Sequence, residues 1–182
     1  MAVEFRCATA RGRRYADRLR ADARDLMHAA NLPDCELSLS LVSDRAIRAL
    51  NRNYRGIDSA TDVLSFSQIE QVGVAPINPR LVTDDSALTL GDVVISIDTA
   101  LAQARELRTA PSARIRRLLI HGFLHLLGYD HERSSAEARK MFARERALEA
   151  KISKDKISKP RSSPTRRKTV TRPKVSRRRK SV

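Results

Sequence analysis

The run His121-Gly122-Phe123-Leu124-His125-Leu126-Leu127-Gly128-Tyr129-Asp130-His131 holds three of the chain's four histidines. No other stretch restricts the local fold as much. Histidines four apart on a helix lie about 40° apart around the axis and about one turn along it, so both rings reach the same side. Gly128 is the residue best able to end that helix in a left-handed turn, which folds the chain back and brings His131 toward the same point. Three imidazoles around one metal ion leave a fourth position open, the arrangement of a catalytic rather than a closed structural zinc site. The neighbouring Leu118, Leu119, Phe123, Leu126 and Leu127 pack the core and stiffen the helix that aims His121 and His125. His28, the remaining histidine, sits on an early amphipathic helix and is read as a surface or partly buried residue.

The spacing His-x-x-x-His-x-x-Gly-x-x-His is that of a zinc protease of the metzincin type, with one departure. Those proteases carry glutamate directly after the first histidine as general base. Here that position is Gly122, so the usual peptide-cleaving machinery lacks its proton acceptor. Shared spacing argues for shared metal geometry and not for a shared reaction. Imidazole ligands suit zinc, although nickel and copper suit them too.

Around this segment the hydrophobic pattern describes an α+β fold. Val3, Phe5 and Cys7 alternate with polar residues as a first strand. Tyr15 to Ala30 carries Tyr15, Leu19, Ala23, Leu26 and Met27 at helical spacing and stops at Asn31-Leu32-Pro33. Leu37, Leu39 and Leu41 alternate with serines as a half-buried strand. Ser43 caps a helix that runs to Arg55 and stops near Gly56. Val63–Phe66 and Leu90–Ile97 read as further strands, and Gln68 to Leu88 as a mobile surface loop. Helices follow at Asp98–Arg108, Pro111–Leu127 and Ser134–Ala150.

The formal charge of +15 over 182 residues is unevenly placed. From Lys151 onward lie 14 of the 36 Lys+Arg and one of the 21 Asp+Glu, which leaves 22 and 20 before it. The reading is a nearly neutral single domain, residues 1–150, followed by a disordered basic tail, residues 151–182, which cannot bury enough apolar surface to offset its ordering entropy. Such a tail attracts polyanions, RNA among them, through counterion release. No run approaches the roughly 18 consecutive apolar residues of a membrane span. No apolar stretch at the N-terminus forms a secretory signal. Cys7 and Cys35 form neither a disulfide framework nor a metal pair, which suits free thiols in the cytoplasm.

The segment His121-Gly-x-Leu-His125-Leu-x-Gly128-Tyr129-Asp130-His131 resembles the signature of the YbeY family of bacterial endoribonucleases, ribosomal RNA maturation factors. Three further blocks are similar to that family. They are Leu50-Asn51-x-x-Tyr54-Arg55 with Thr61-Asp62-Val63-Leu64-Ser65-Phe66, then Leu90-Gly91-Asp92-Val93-Val94-Ile95-Ser96, then Met141 with Glu145. The resemblance spans about residues 45–149, and the tail lies outside it. Ala60 and Ser67 stand where prolines are common, departures that touch turn stiffness and not chemistry. The resemblance implies a four-stranded, mostly parallel mixed sheet packed with about five helices, one of them a zincin-like metal helix. It also implies a single-strand-specific, metal-dependent endoribonuclease in ribosomal RNA maturation and ribosome quality control, with ribosomal particles as partners. His121, His125 and His131 would hold one Zn2+ per chain, with His121 and Arg55 catalytic.

For Arg55 the residue pattern alone fits a cation at a helix C-terminus; the resemblance points to a phosphate-binding guanidinium. Asp130 has three candidate roles: orienting a ligand imidazole, which is preferred, acting as base, or capping the turn. Asp62 and Asp92 are read as structural carboxylates. Whether water or the adjacent ribose 2′-hydroxyl attacks stays open. Two other functions compete: a metalloprotease, opposed by Gly122, and a non-enzymatic ribosome-biogenesis factor with a structural metal, opposed by the open fourth position.

Overall fold

Leucines alternating with serines give a strand two unlike faces, because successive side chains point to opposite sides. In the computed structural model, which describes residues 2–69 and 88–158, Leu37, Leu39 and Leu41 lie on β2 (Glu36–Val42) and are fully buried. β2 pairs in parallel with β1 (Ala2–Cys7) on one side and with β4 (Thr89–Ser96) on the other. β3 (Val63–Ser67) pairs antiparallel with β4 and completes the order β1-β2-β4-β3. The expected four-stranded, mostly parallel mixed sheet is therefore observed.

Five helices complete the described residues: α1 (Ala10–Ala29), α2 (Asp44–Arg55), α3 (Ile97–Glu106), α4 (Pro111–Leu126) and α5 (Ser135–Ser158). α1 starts earlier than its apolar spacing predicts, because Thr9 caps it by accepting a hydrogen bond from the Gly12 N–H. The arginines of its first turns carry no hydrophobic period, so the pattern could not show them as helical.

The sheet divides the apolar side chains in two. Leu37, Leu39, Leu41, Val93 and Ile95 join the main core with α1 and α4, whereas Leu64 and Val94 pack with Ile47 of α2 on the opposite face. α4 is the central helix, lying on β3 and β4 and touching α1, α3 and α5. Its buried side chains run nearly all round, from Ile115 to Leu126, and Arg117 marks the narrow face it leaves to solvent. One charged pair crosses this interior: Arg116 Nε of α4 donates to Asp22 Oδ2 of α1 at 3.0 Å, with both residues buried.

The domain boundary expected after Ala150 falls inside a helix. α5 continues to Ser158, and Ile152 is fully buried in the main core with Met141 and Leu148. The sequence reading missed this because one isoleucine among lysines looks solvated, yet Met141, Leu148 and Ile152 share one helical stripe. The expected loop between Gln68 and Leu88 lies, apart from its ends, outside the described residues, as does the tail beyond Ser158.

Candidate active site

Two strand serines set the helix that carries the histidines. Ser65 Oγ donates to the Gly122 carbonyl at 2.9 Å, and Ser67 Oγ donates to the Leu126 carbonyl at 3.2 Å. Alternate residues on a strand are about 6.6 Å apart and residues four apart on a helix about 6 Å, so the two bonds hold β3 and α4 in register. Ser67, one of the departures noted above, thus ties down the end of the helix, beyond any effect on turn stiffness.

Gly122 lies at this close approach. A Cβ there would come within 2.8 Å of Val93 Cγ1, 2.9 Å of Ser65 Oγ and 3.0 Å of Val63 Cγ2. A glutamate at this position would run into the sheet. The metzincin departure is therefore a packing requirement of this fold as well as a missing base.

α4 ends as its glycine predicts. Gly128 adopts φ 85°, its N–H donates to the His125 carbonyl at 3.0 Å, and the Tyr129 N–H reaches the Leu124 carbonyl at 3.1 Å. These are the two bonds of a Schellman turn. The reversal brings His131 back over the helix end. Ring centroids are separated by 4.8 Å for His121–His125, 5.2 Å for His121–His131 and 5.3 Å for His125–His131.

The cluster fits a metal ion. One nitrogen from each ring lies within 4.8 Å of the others. The Nε2 atoms of His121 and His125 are 3.2 Å apart, close to the roughly 3.3 Å edge of a tetrahedron whose centre is about 2.0–2.1 Å from each nitrogen. Burial, reinforced by the neighbouring His121 and His131 rings, pushes the His125 imidazole below its ordinary pKa and favours the neutral ligand form. His121 Nδ1 lies 2.6 Å from Glu145 Oε1. A proton on Nδ1 donated to this carboxylate leaves the Nε2 lone pair facing the cluster.

Glu145, and not Asp130, is the carboxylate hydrogen-bonded to a ring of the cluster. The Asp130 carboxylate accepts from the Glu132 N–H at 2.8 Å and from Arg133 Nε at 3.0 Å, so it caps the turn. The Glu132 bond holds its carboxyl below the usual range. Its position next to His131 made it the nearer choice in sequence; Glu145 is 24 residues from His121. The available signal was periodicity, because Glu145 falls between Met141 and Leu148 on the core-facing stripe of α5, an unusual place for a carboxylate without a partner.

Arg55 stands in the last turn of α2 and lines a cleft of about 630 Å³ with His121, His125, His131 and Thr61–Phe66. Among the described residues its guanidinium has no acidic or carbonyl partner. Its position is set from below: Asn51 is buried, and its Nδ2 donates to the Ser59 carbonyl at 2.9 Å, tying α2 to the segment that enters β3. Asp62 is structural, as read. Its carboxylate accepts from the Val63 N–H, from Gln103 Nε2 and from Arg114 Nη2. Asp92 accepts from Gln68 Nε2, and His28 is exposed.

No helix among the described residues is long and apolar enough to cross a membrane. The family described as Endoribonuclease YbeY matches residues 8–153. Among curated relatives, each described as Endoribonuclease YbeY, that of Anaeromyxobacter sp. (strain Fw109-5) is 49% identical over 148 residues, 81% of this chain and 70% of the relative. That of Anaeromyxobacter dehalogenans (strain 2CP-C) is 48% identical over 75% of this chain and 64% of the relative. That of Geobacter sulfurreducens is 45% identical over 72% of this chain and 82% of the relative. A solution structure from Thermotoga maritima shares the fold with a TM-score of 0.58 at 24% identity, covering 91% of this chain and 99% of that one. Neither competing function finds support in these relatives. By its matched sequence, and with the histidine-bearing helix and turn that carry the family's motif folded as above, the chain belongs to the YbeY family of endoribonucleases.

Proposed function

We propose that the chain cleaves single-stranded RNA with one zinc ion held by His121, His125 and His131, and that it matures and surveys ribosomal RNA on ribosomal particles in the cytoplasm. The observation that carries this reading is the convergence of three imidazoles and an unpaired arginine on one cleft, in a chain of an endoribonuclease family. Bound there, the metal would polarise a phosphoryl oxygen or activate the attacking group. The protein does the remaining work. Glu145 fixes the His121 ring, and burial keeps His125 neutral. Arg55 offers a planar fork that can bind two non-bridging oxygens as charge builds on them. The all-imidazole donor set and the separation of the Nε2 atoms support zinc.

Cleavage of a single-stranded RNA by wild type, Arg55→Glu and His121→Ala tests the reading. Both variants should retain the wild-type circular dichroism and lose at least about 100-fold in rate, as expected when a group acting on the transition-state charge is removed. Cleavage that persists in both folded variants would point to a contaminating nuclease and overturn it. A cyclic phosphate on the product's 3′ end would identify the ribose 2′-hydroxyl as nucleophile, and a free 3′-hydroxyl would identify water.

A further inference from the structure

The chain is poor in aromatic residues, with four Phe, three Tyr and no Trp. Five of these seven rings are buried or partly buried. The two exposed ones are Tyr54 at 69% and Phe142 at 43%. An exposed aromatic ring offers a large, rigid contact surface with little conformational entropy to lose, and both of these lie beside one site.

Both border the histidine cluster, in two separate clefts. Tyr54 precedes Arg55 and lines the cleft described above. Phe142 lines a second cleft, of about 480 Å³, with Arg146, Glu145 and Arg117, whose Nε donates to Glu149 Oε1 at 3.0 Å. The two clefts share the lining residues His121 and Asp62. Each ring is also held from behind. Tyr54 packs edge-on against Phe66 with centroids 5.0 Å apart and planes at 62°. Phe142 lies nearly parallel to His131 with centroids 6.0 Å apart and planes at 18°. Each therefore presents a surface to solvent without freedom to collapse onto its neighbours.

Resting on the endoribonuclease reading above, we infer that Tyr54 and Phe142 are stacking platforms for the unpaired bases on either side of the scissile phosphate. The RNA strand crosses from the Arg55 cleft to the Arg117–Arg146 cleft, with its phosphate at the histidines. Base–aromatic stacking tolerates any sequence, because every base has a π-face. It also rejects duplex, because a paired base already has both faces occupied by its neighbours. Strand selectivity then comes from two rings, and cleavage from the histidines and Arg55. This separates the two properties experimentally.

The test measures kcat and KM of the full chain on a single-stranded RNA at fixed physiological salt, with Tyr54→Ala, Tyr54→Phe, Phe142→Ala and Phe142→Tyr. Each alanine variant should raise KM or Kd about 5- to 100-fold, the range of one lost stack, and each aromatic replacement should restore it. Abasic nucleotides flanking the cleaved bond should weaken wild type by a similar factor and the doubly substituted Tyr54→Ala/Phe142→Ala protein by less than twofold. Alanine variants within twofold of wild type would overturn the proposal, as would an abasic penalty unchanged by the substitutions. Wild-type cleavage that His121→Ala abolishes, combined with no effect of the aromatic variants, would sink the platforms and leave the nuclease intact. Absence of wild-type RNA cleavage would overturn both.

Discussion

Oε1 of Glu145 lies 2.6 Å from Nδ1 of His121, joining α5 to the histidine helix at one of the three proposed metal ligands. A carboxylate behind a ligand imidazole fixes the ring and its tautomer and raises its basicity. Glu145→Gln and Glu145→Ala should therefore weaken zinc binding about 10- to 100-fold while leaving helix content unchanged. Competition with a coloured chelator measures it. His125→Ala, which removes a donor itself, should lose more.

At Gly122 the contacts of a hypothetical side chain predict instability and not a new activity. Gly122→Glu would place a carboxylate against Val63 and Val93, and a buried unpaired charge costs several kcal/mol. Its melting temperature should fall by at least about 6 °C, since each kcal/mol corresponds to about 2–4 °C in a chain of this size. A caseinolytic assay should stay blank although the metzincin-type sequence is restored. A stable variant that cleaves casein would contradict the packing argument.

The interior pair of Asp22 and Arg116 joins α1 to α4. Asp22→Ala leaves a buried guanidinium without its principal partner and should cost about 3–5 kcal/mol, read by urea unfolding. The double replacement Asp22→Leu/Arg116→Met should recover most of that loss, because neither charge then remains to be solvated.

Truncation after Ala150 removes Ile152 from the core and should cost about 1.5–3 kcal/mol, the value of burying one such side chain. A chain ending at Ser158 keeps this residue. If the segment beyond it acts as a solvated polycation, the shorter chain should match full-length stability. It should also show a smaller slope of log affinity for RNA against log salt. Equal stability of the two truncations would show that the end of α5 contributes nothing.

Local patterns made most of this molecule legible. The alternating leucines of β2, the serine cap of α2 and the glycine after α4 each act within a few residues, so their consequences can be read in order along the chain. The histidines were legible for the same reason: one helix and one turn bring all three together. What escaped depends on tertiary neighbours. Glu145 reaches His121 only because α5 packs on α4, and the role of Ser67 exists only because β3 lies under the helix end. Of the three roles open to Asp130, its hydrogen bonds show the turn cap, while its charge still acts on the neighbouring His125. The end of the domain was placed too early because a single buried isoleucine carries little weight among lysines.

The proposed activity depends on a metal held by three histidines and acting on RNA. Its most direct test strips the purified protein with a chelator, then follows single-stranded RNA cleavage during titration with zinc. The predicted result is no cleavage by the stripped protein and recovery that saturates at one zinc per chain, with His125→Ala folded but unresponsive. Full cleavage by the metal-free protein, or by folded His125→Ala, would contradict it.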